Sequence, residues 1–131
     1  MITTTDAANI IYTACKVFGM PVYQGGNIPN GMVGDDGRVV VHVKEYSVDS
    51  TWKKGFVEVN LFVADTLHGN ADLIRLNELE RQATKLLKGM GWHDGTAYQY
   101  DVVSTIPLEN ANLKAHYINV KVLFKVLNTM D

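Results

Sequence analysis

The sequence predicts an α+β fold: a four-stranded antiparallel or mixed sheet with two main helices packed on one face, in the order α-β-β-α-β-β. Three observations lead there. Two segments space apolar residues three and four apart, four segments alternate apolar with polar residues, and links rich in glycine or polar residues separate them.

The first helix is expected over residues 5–18. Thr3, Thr4, Thr5 and Asp6 offer N-caps, and Ala7, Ile10, Ile11, Ala14, Val17 and Phe18 form a stripe to bury. Gly19 and Pro21 end it. Val22 to Gly37 reads as an irregular stretch, because Gly25, Gly26, Pro29, Gly31, Gly34 and Gly37 interrupt any regular pattern. Loops of that length in a small domain are often functional.

Arg38–Tyr46 and Phe56–Ala64 follow as strands, with the β-branched alternation of a half-buried sheet. The polar link Ser47–Gly55, which contains Trp52, makes them a long hairpin. In the second helix Asn70 is the expected cap. Leu73, Leu76, Leu79, Ala83, Leu86, Leu87 and Met90 are its buried stripe, and Gly89 and Gly91 its stop. Tyr98–Ile106 then places Tyr98, Tyr100, Val102, Ser104 and Ile106 on one face. After a long link, Pro107–Ala115, the strand Tyr117–Leu127 turns Ile118, Val120, Val122, Phe124 and Val126 one way. Its other side carries Tyr117, Leu123 and Leu127, too apolar for a face left to water, so assembly is expected. The two hairpins either meet in parallel through their inner strands or antiparallel through others.

Composition narrows the function. The 131 residues suit one domain spanning 1–131, and 47% hydrophobic with 20% charged residues is globular usage. A net charge of -2 lacks the strongly basic footprint of a nucleic-acid binder. The single cysteine excludes an internal disulfide framework and a cysteine-rich zinc site. No apolar run approaches the roughly 20 residues of a membrane span, and the first six residues lack a signal-peptide pattern, so a soluble intracellular protein is expected.

Constellations for chemistry are sparse. His42, His68, His93 and His116 are scattered without the i, i+4 spacing of a helical metal site. Cys15 falls near the apolar stripe of the first helix and reads as a small hydrophobe. The glycine-rich loop lacks the Lys-Ser or Lys-Thr pair of a phosphate loop, and Asp35 and Asp36 would repel a phosphate. Glu58, Glu78, Glu80, Asp101 and Glu109 form no local acid pair. Catalytic residues, metal ligands and cofactors are therefore not assigned.

The order of helix, glycine-proline loop, hairpin, helix and hairpin resembles the tail terminator proteins of long-tailed bacteriophages and prophages. Val22-Tyr23-Gln24-Gly25-Gly26-Asn27-Ile28-Pro29 is similar to the segment after the first helix there, and Val57-Glu58-Val59-Asn60-Leu61-Phe62-Val63 to the central alternating strand. The likeness spans roughly residues 5–128. It implies a structural protein of the virion tail, assembled in the host cytoplasm. Such a protein forms a ring, typically hexameric, that caps the tail-tube protein, stops its polymerisation and meets the head–tail connector. It implies no catalytic residues. The glycine content of the Gly25–Gly37 loop departs from the family pattern. Interface candidates are Tyr23, Ile28, Met32 and Val33 in the loop, Trp52 and Phe56 in the first hairpin, and Tyr117 and Leu123 on the last strand, because large apolar groups anchor interfaces.

Two other readings stand beside it. One is a neck or head–tail connector ring protein. The other is a small ligand-binding or enzymatic α+β domain with a pocket between the sheet and the Val22–Gly37 loop, which requires His42, His93 or Asp101 to converge.

Overall fold

A computed structural model describes residues 2–48 and 53–127 of the chain. Its elements are α1 (Thr4–Ala14), β1 (Val22–Gln24), β2 (Arg38–Val48), β3 (Lys53–Ala64), α2 (Leu73–Leu86), β4 (Gly89–His93), β5 (Thr96–Asn110) and β6 (Ala115–Val126). The expected α+β class with two helices on one sheet face is observed. The sheet, however, has six strands among the described residues, in the order β1-β2-β3-β6-β5-β4. It is mixed: β1 runs parallel to β2, and every other pairing is antiparallel. The two hairpins meet through β3 and β6, so their inner strands are not parallel neighbours.

Helix α1 starts at a reciprocal cap. The Asp6 N–H donates to Thr3 Oγ1, and the Thr3 N–H donates to an Asp6 carboxylate oxygen, both at 3.0 Å. Ala7, Ile11 and Cys15 go into the core. The helix tightens into a 3₁₀ turn over Cys15–Phe18. Three residues per turn rotate the stripe away from the sheet, which leaves Val17 exposed rather than buried.

The N-cap of α2 is Asp72 rather than Asn70: Asp72 Oδ1 accepts the Arg75 N–H at 3.2 Å. Leu76, Leu79, Ala83 and Leu87 form the buried line, spaced three, four and four apart. Leu73, one turn ahead of the first of these, and Leu86, one position off the line, are exposed. The helix ends before Gly89, so Met90 belongs to a strand and points to solvent.

The spine of the sheet is the β3–β6 ladder, which pairs twelve residues from Lys53↔Val126 to Ala64↔Ala115. Under the helices it presents Val57, Val59, Leu61 and Val63 beside Ile118, Val120, Val122, Phe124 and Val126, all buried. Phe124 is the largest fully buried side chain, and Tyr98 and Tyr100 of β5 stack on it at 5.3 and 6.3 Å.

Those tyrosines explain β4. A Cβ added at Gly89 would lie 2.9 Å from the Tyr100 hydroxyl, and one at Gly91 would lie 2.7 Å from that of Tyr98. The rings occupy the space that side chains on this face of β4 would take. Residues expected to stop a helix thus form an edge strand. β1 was likewise not expected; its three residues pair with Val39–Val41 inside the stretch read as irregular. β5 carries a bulge between Val102 and Ser104. The extra residue inverts the alternation, so Thr105 faces α2, where its hydroxyl donates to Glu80 at 2.6 Å. Ile106 consequently turns to the face opposite Tyr98, Tyr100 and Val102, against the expected alternation. β5 also runs on to Asn110, taking up much of the expected link.

The loop between β1 and β2 crosses the face away from the helices. Val33 from this loop, Val40, Phe62 and Ala115 form a second, small core there. Two arginines hold the loop. Arg38, itself buried, donates to the carbonyls of Pro29, Gly31 and Met32. Arg75, in the first turn of α2, donates to those of Asp35 and Asp36 at 2.7 and 2.8 Å. Gly37 ends the loop at φ +73, where a Cβ would sit 2.5 Å from the Phe62 carbonyl oxygen.

Two outcomes follow from these contacts. Gly91→Ala collides with Tyr98 and is expected to lower unfolding free energy by about 1–3 kcal/mol in a denaturant titration. Arg75→Ala frees one end of the loop: amide exchange at Gly37 should accelerate while protection across β3–β6 stays unchanged, and equal protection at Gly37 would contradict the clamp.

Candidate assembly surface

Among the described residues, the sheet face away from the helices is without a covering layer, apart from the loop at one end. Its middle is internally satisfied. The Asn119 amide donates to Asn60 Oδ1 at 2.7 Å, Lys44 pairs with Glu58 at 3.3 Å, the Lys121 ammonium sits 4.1 Å over the Phe56 ring, and Phe62 stacks on Tyr117 at 4.5 Å. These are cross-strand pairs of the kind that stabilise a solvated sheet.

The β4–β5 side differs. Met90 and Trp92 project from β4, while Val103, Ile106 and Leu108 project from β5, and all five are exposed. Trp92 is 76% exposed. A cavity of about 520 Å³ opens beside them, lined by Met90, Val103 and Leu123 together with Lys88, Asp101 and Lys125. By register the projecting groups line up along the edge as a strip, Trp92 and Met90 at one end and Val103, Ile106 and Leu108 at the other, with Asp101 between them. The edge itself is blunted against main-chain pairing: Pro107 has no N–H, Val103 is bulged, and the Val102 N–H is taken by Asp101 Oδ1 at 2.8 Å.

The residues singled out from sequence fall in several places. Leu123 is half-buried and lines the cavity. Tyr117 and Phe56 are half-buried on the same face, engaged by Phe62 and Lys121. Ile28 and Met32 are exposed on the loop, whereas Val33 is 6% exposed and fills the second core of its own chain. Tyr23 lies on β1, beside Asn9 and Tyr12 of α1. Trp52 lies outside the described residues. Trp92, Val103, Ile106 and Leu108 escaped the sequence reading. The alternation of Gly89, Gly91 and His93 with Met90 and Trp92 was the available signal, masked by the habit of glycine as a helix stop.

The residues required by the ligand-binding reading are apart. His42 and Asp101 share the open face but stand on strands three positions apart in the sheet, about 14 Å. His93 is on the helix side, its Nε2 3.5 Å from Asp6 of α1. The space under the Val22–Gly37 loop is occupied by Val33 and Phe62. His116 has its Nδ1 2.6 Å from Asp65 and its Nε2 3.4 Å from Glu109, tying the ends of β3, β5 and β6 together. Among the described residues no cluster of three or more His, Cys, Asp or Glu side chains could hold a metal ion, and no helix is long and apolar enough to cross a membrane.

Displaced titrations belong to the scaffold. The Thr3 N–H holds the Asp6 carboxyl below its usual range. Burial raises Tyr100, with Tyr98 adding to it, and pushes the Cys15 thiol up to about 12.

No family model matches the chain, and no curated protein does. Among solved structures, one whose name states no function is similar with a TM-score of 0.59, covering 98% of this chain and 96% of its own, at 12% identity. At that identity the likeness shows the shared fold alone.

A buried thiol with that titration should stay unmodified by an aromatic disulfide reagent at mildly alkaline pH and react at once on denaturation. Rapid labelling of the folded chain would contradict the placement of Cys15 beneath α1.

Proposed function

We propose that the chain is a structural assembly protein, a phage or prophage tail terminator. It works as a ring of its own copies, six in the family it resembles, set on the last ring of tail-tube subunits. There it stops tube growth and offers its other side to the head–tail connector. Its place is the virion tail, after assembly in the host cytoplasm. The observation that carries this reading is the apolar strip of Met90, Trp92, Val103, Ile106 and Leu108 beside an open groove. Exposed apolar surface of this kind marks a protein contact, and the exposed tryptophan at its end is the residue type that dominates binding energy. The element order supports the same reading.

The role needs shape rather than chemistry. A ring subunit must present two different patches that fit each other, and a third surface for the tube. Leu123 and the open β4–β5 side form one of the two ring patches, and the exposed Ile28 and Met32 of the arginine-held loop serve the tube contact. A loop fixed by five guanidinium–carbonyl bonds is ordered before it meets its partner, which lowers the entropy lost on docking.

Light scattering across a concentration series should show mass rising from one chain to a closed oligomer, and Trp92→Ser should shift that rise to higher concentration by about ten-fold or more. Added to polymerising tail-tube protein, the chain should shorten the tubes seen by electron microscopy. A strict monomer that leaves tube length unaltered would overturn the reading.

A further inference from the structure

We infer that copies of the chain join head to tail, with the exposed apolar start of α2 on one copy seated in the β4–β5–β6 groove of the next. The inference rests on the assembly reading above and adds the partner of its groove.

The start of α2 is the second concentration of unpartnered apolar side chains. Leu67 is fully exposed in the turn before the helix, and Leu73 and Ile74 are 71% and 85% exposed in its first turn. The turn folds back on itself, the Thr66 N–H donating to the Asn70 carbonyl at 2.8 Å, which carries Leu67 toward the helix start. Among the described residues, no neighbour covers these three branched aliphatic groups, although α2 lies against the sheet by its opposite side.

The groove is complementary in shape and sign. It is concave, lined by Val103, Leu123 and Met90, and methionine adapts to the shape of what enters. Lys88 and Lys125 are among its lining residues. The helix start carries Asp72 and, one turn on from Ile74, Glu78, while the guanidinium of Arg75 is turned to the loop carbonyls of Asp35 and Asp36. Asp101 is the acid within the groove, and its carboxylate is engaged by the Val102 N–H. A groove-to-groove pairing would set the lysines against each other, whereas helix start against groove sets acid against base.

Placement decides the symmetry. The groove opens on the face away from the helices, and α2 belongs to the layer on the other side of the sheet. A contact between two different patches on opposite sides of one subunit is heterologous, and repetition generates a ring when the rotation closes.

The test mixes two variants. Met90→Asp damages the groove lining and leaves the helix start intact; Ile74→Asp does the reverse. Both positions are exposed, and circular dichroism with a thermal melt matching the unaltered chain shows that each variant folds. Each alone should self-associate about ten-fold or more weakly. Mixed in equal amounts they should form a particle of two chains and go no further, because one sound helix start and one sound groove remain to meet. A mixture that stays monomeric while the unaltered chain assembles overturns the pairing and spares the assembly reading. Variants that assemble as the unaltered chain does also overturn the pairing. An unaltered chain that never assembles overturns both.

Discussion

The twelve-residue antiparallel ladder between β3 and β6 is the constraint on which the rest of the structure hangs. It joins the second strand of the first hairpin to the last strand of the chain, across more than fifty residues, and so settles which face of every other strand is inward. Val57, Val59, Leu61 and Val63 on one strand and Ile118 through Val126 on the other supply a continuous apolar floor, and both helices lie down on it. A slip of β3 by one residue would turn its apolar set to the solvent and bring Glu58 and Asn60 under the helices, where burial leaves them unpaired. β2 and β5 are added outward from this pair, and β1 and β4 complete the margins.

The two sheet faces then divide their tasks. The helix face is sealed, and its titratable groups are committed to structure: the Cys15 thiol is buried in the core, Tyr100 is stacked against Phe124, and Asp6 closes the cap of α1. The other face is wet in its middle, where amide, ion and cation–π pairs satisfy one another. It is apolar along β4 and β5, where none of the described residues covers it. Pro107, the bulge at Val103 and the Asp101 side chain close the β5 margin to strand addition, so contact there goes through side chains. The arginine-held loop supplies a second ordered feature at the β1–β2 end.

The exposed strip depends on an absence of side chains. Gly89 and Gly91 let Tyr98 and Tyr100 lie beside β4 on the helix face, and that packing fastens a short edge strand whose large residues, Met90 and Trp92, must then point outward. The bulge in β5 acts in the same sense by turning Ile106 to the open face. Surface chemistry on one side of the sheet is thus set by packing on the other.

Much of this was legible beforehand. Helical spacing from Ala7 to Cys15 and from Leu76 to Leu87, and alternation along four long segments, report themselves through periods that any burial against a partner demands. Leu123 and Tyr117 could be placed on an open face from the same alternation. The rest was not legible because it depends on residues distant in the chain. No local pattern says that the hydroxyls of Tyr98 and Tyr100 replace the side chains missing at Gly91 and Gly89, that Val103 is one residue too many opposite β6, or that Arg75 reaches back to the carbonyls of Asp35 and Asp36. The amino-acid order alone determined the kinds of element and the inward face of most of them, since those follow from periodicity within a few turns or pleats. The tertiary structure alone decided the strand order, the two short strands and the apolar strip, since these arise where side chains far apart in sequence compete for the same space.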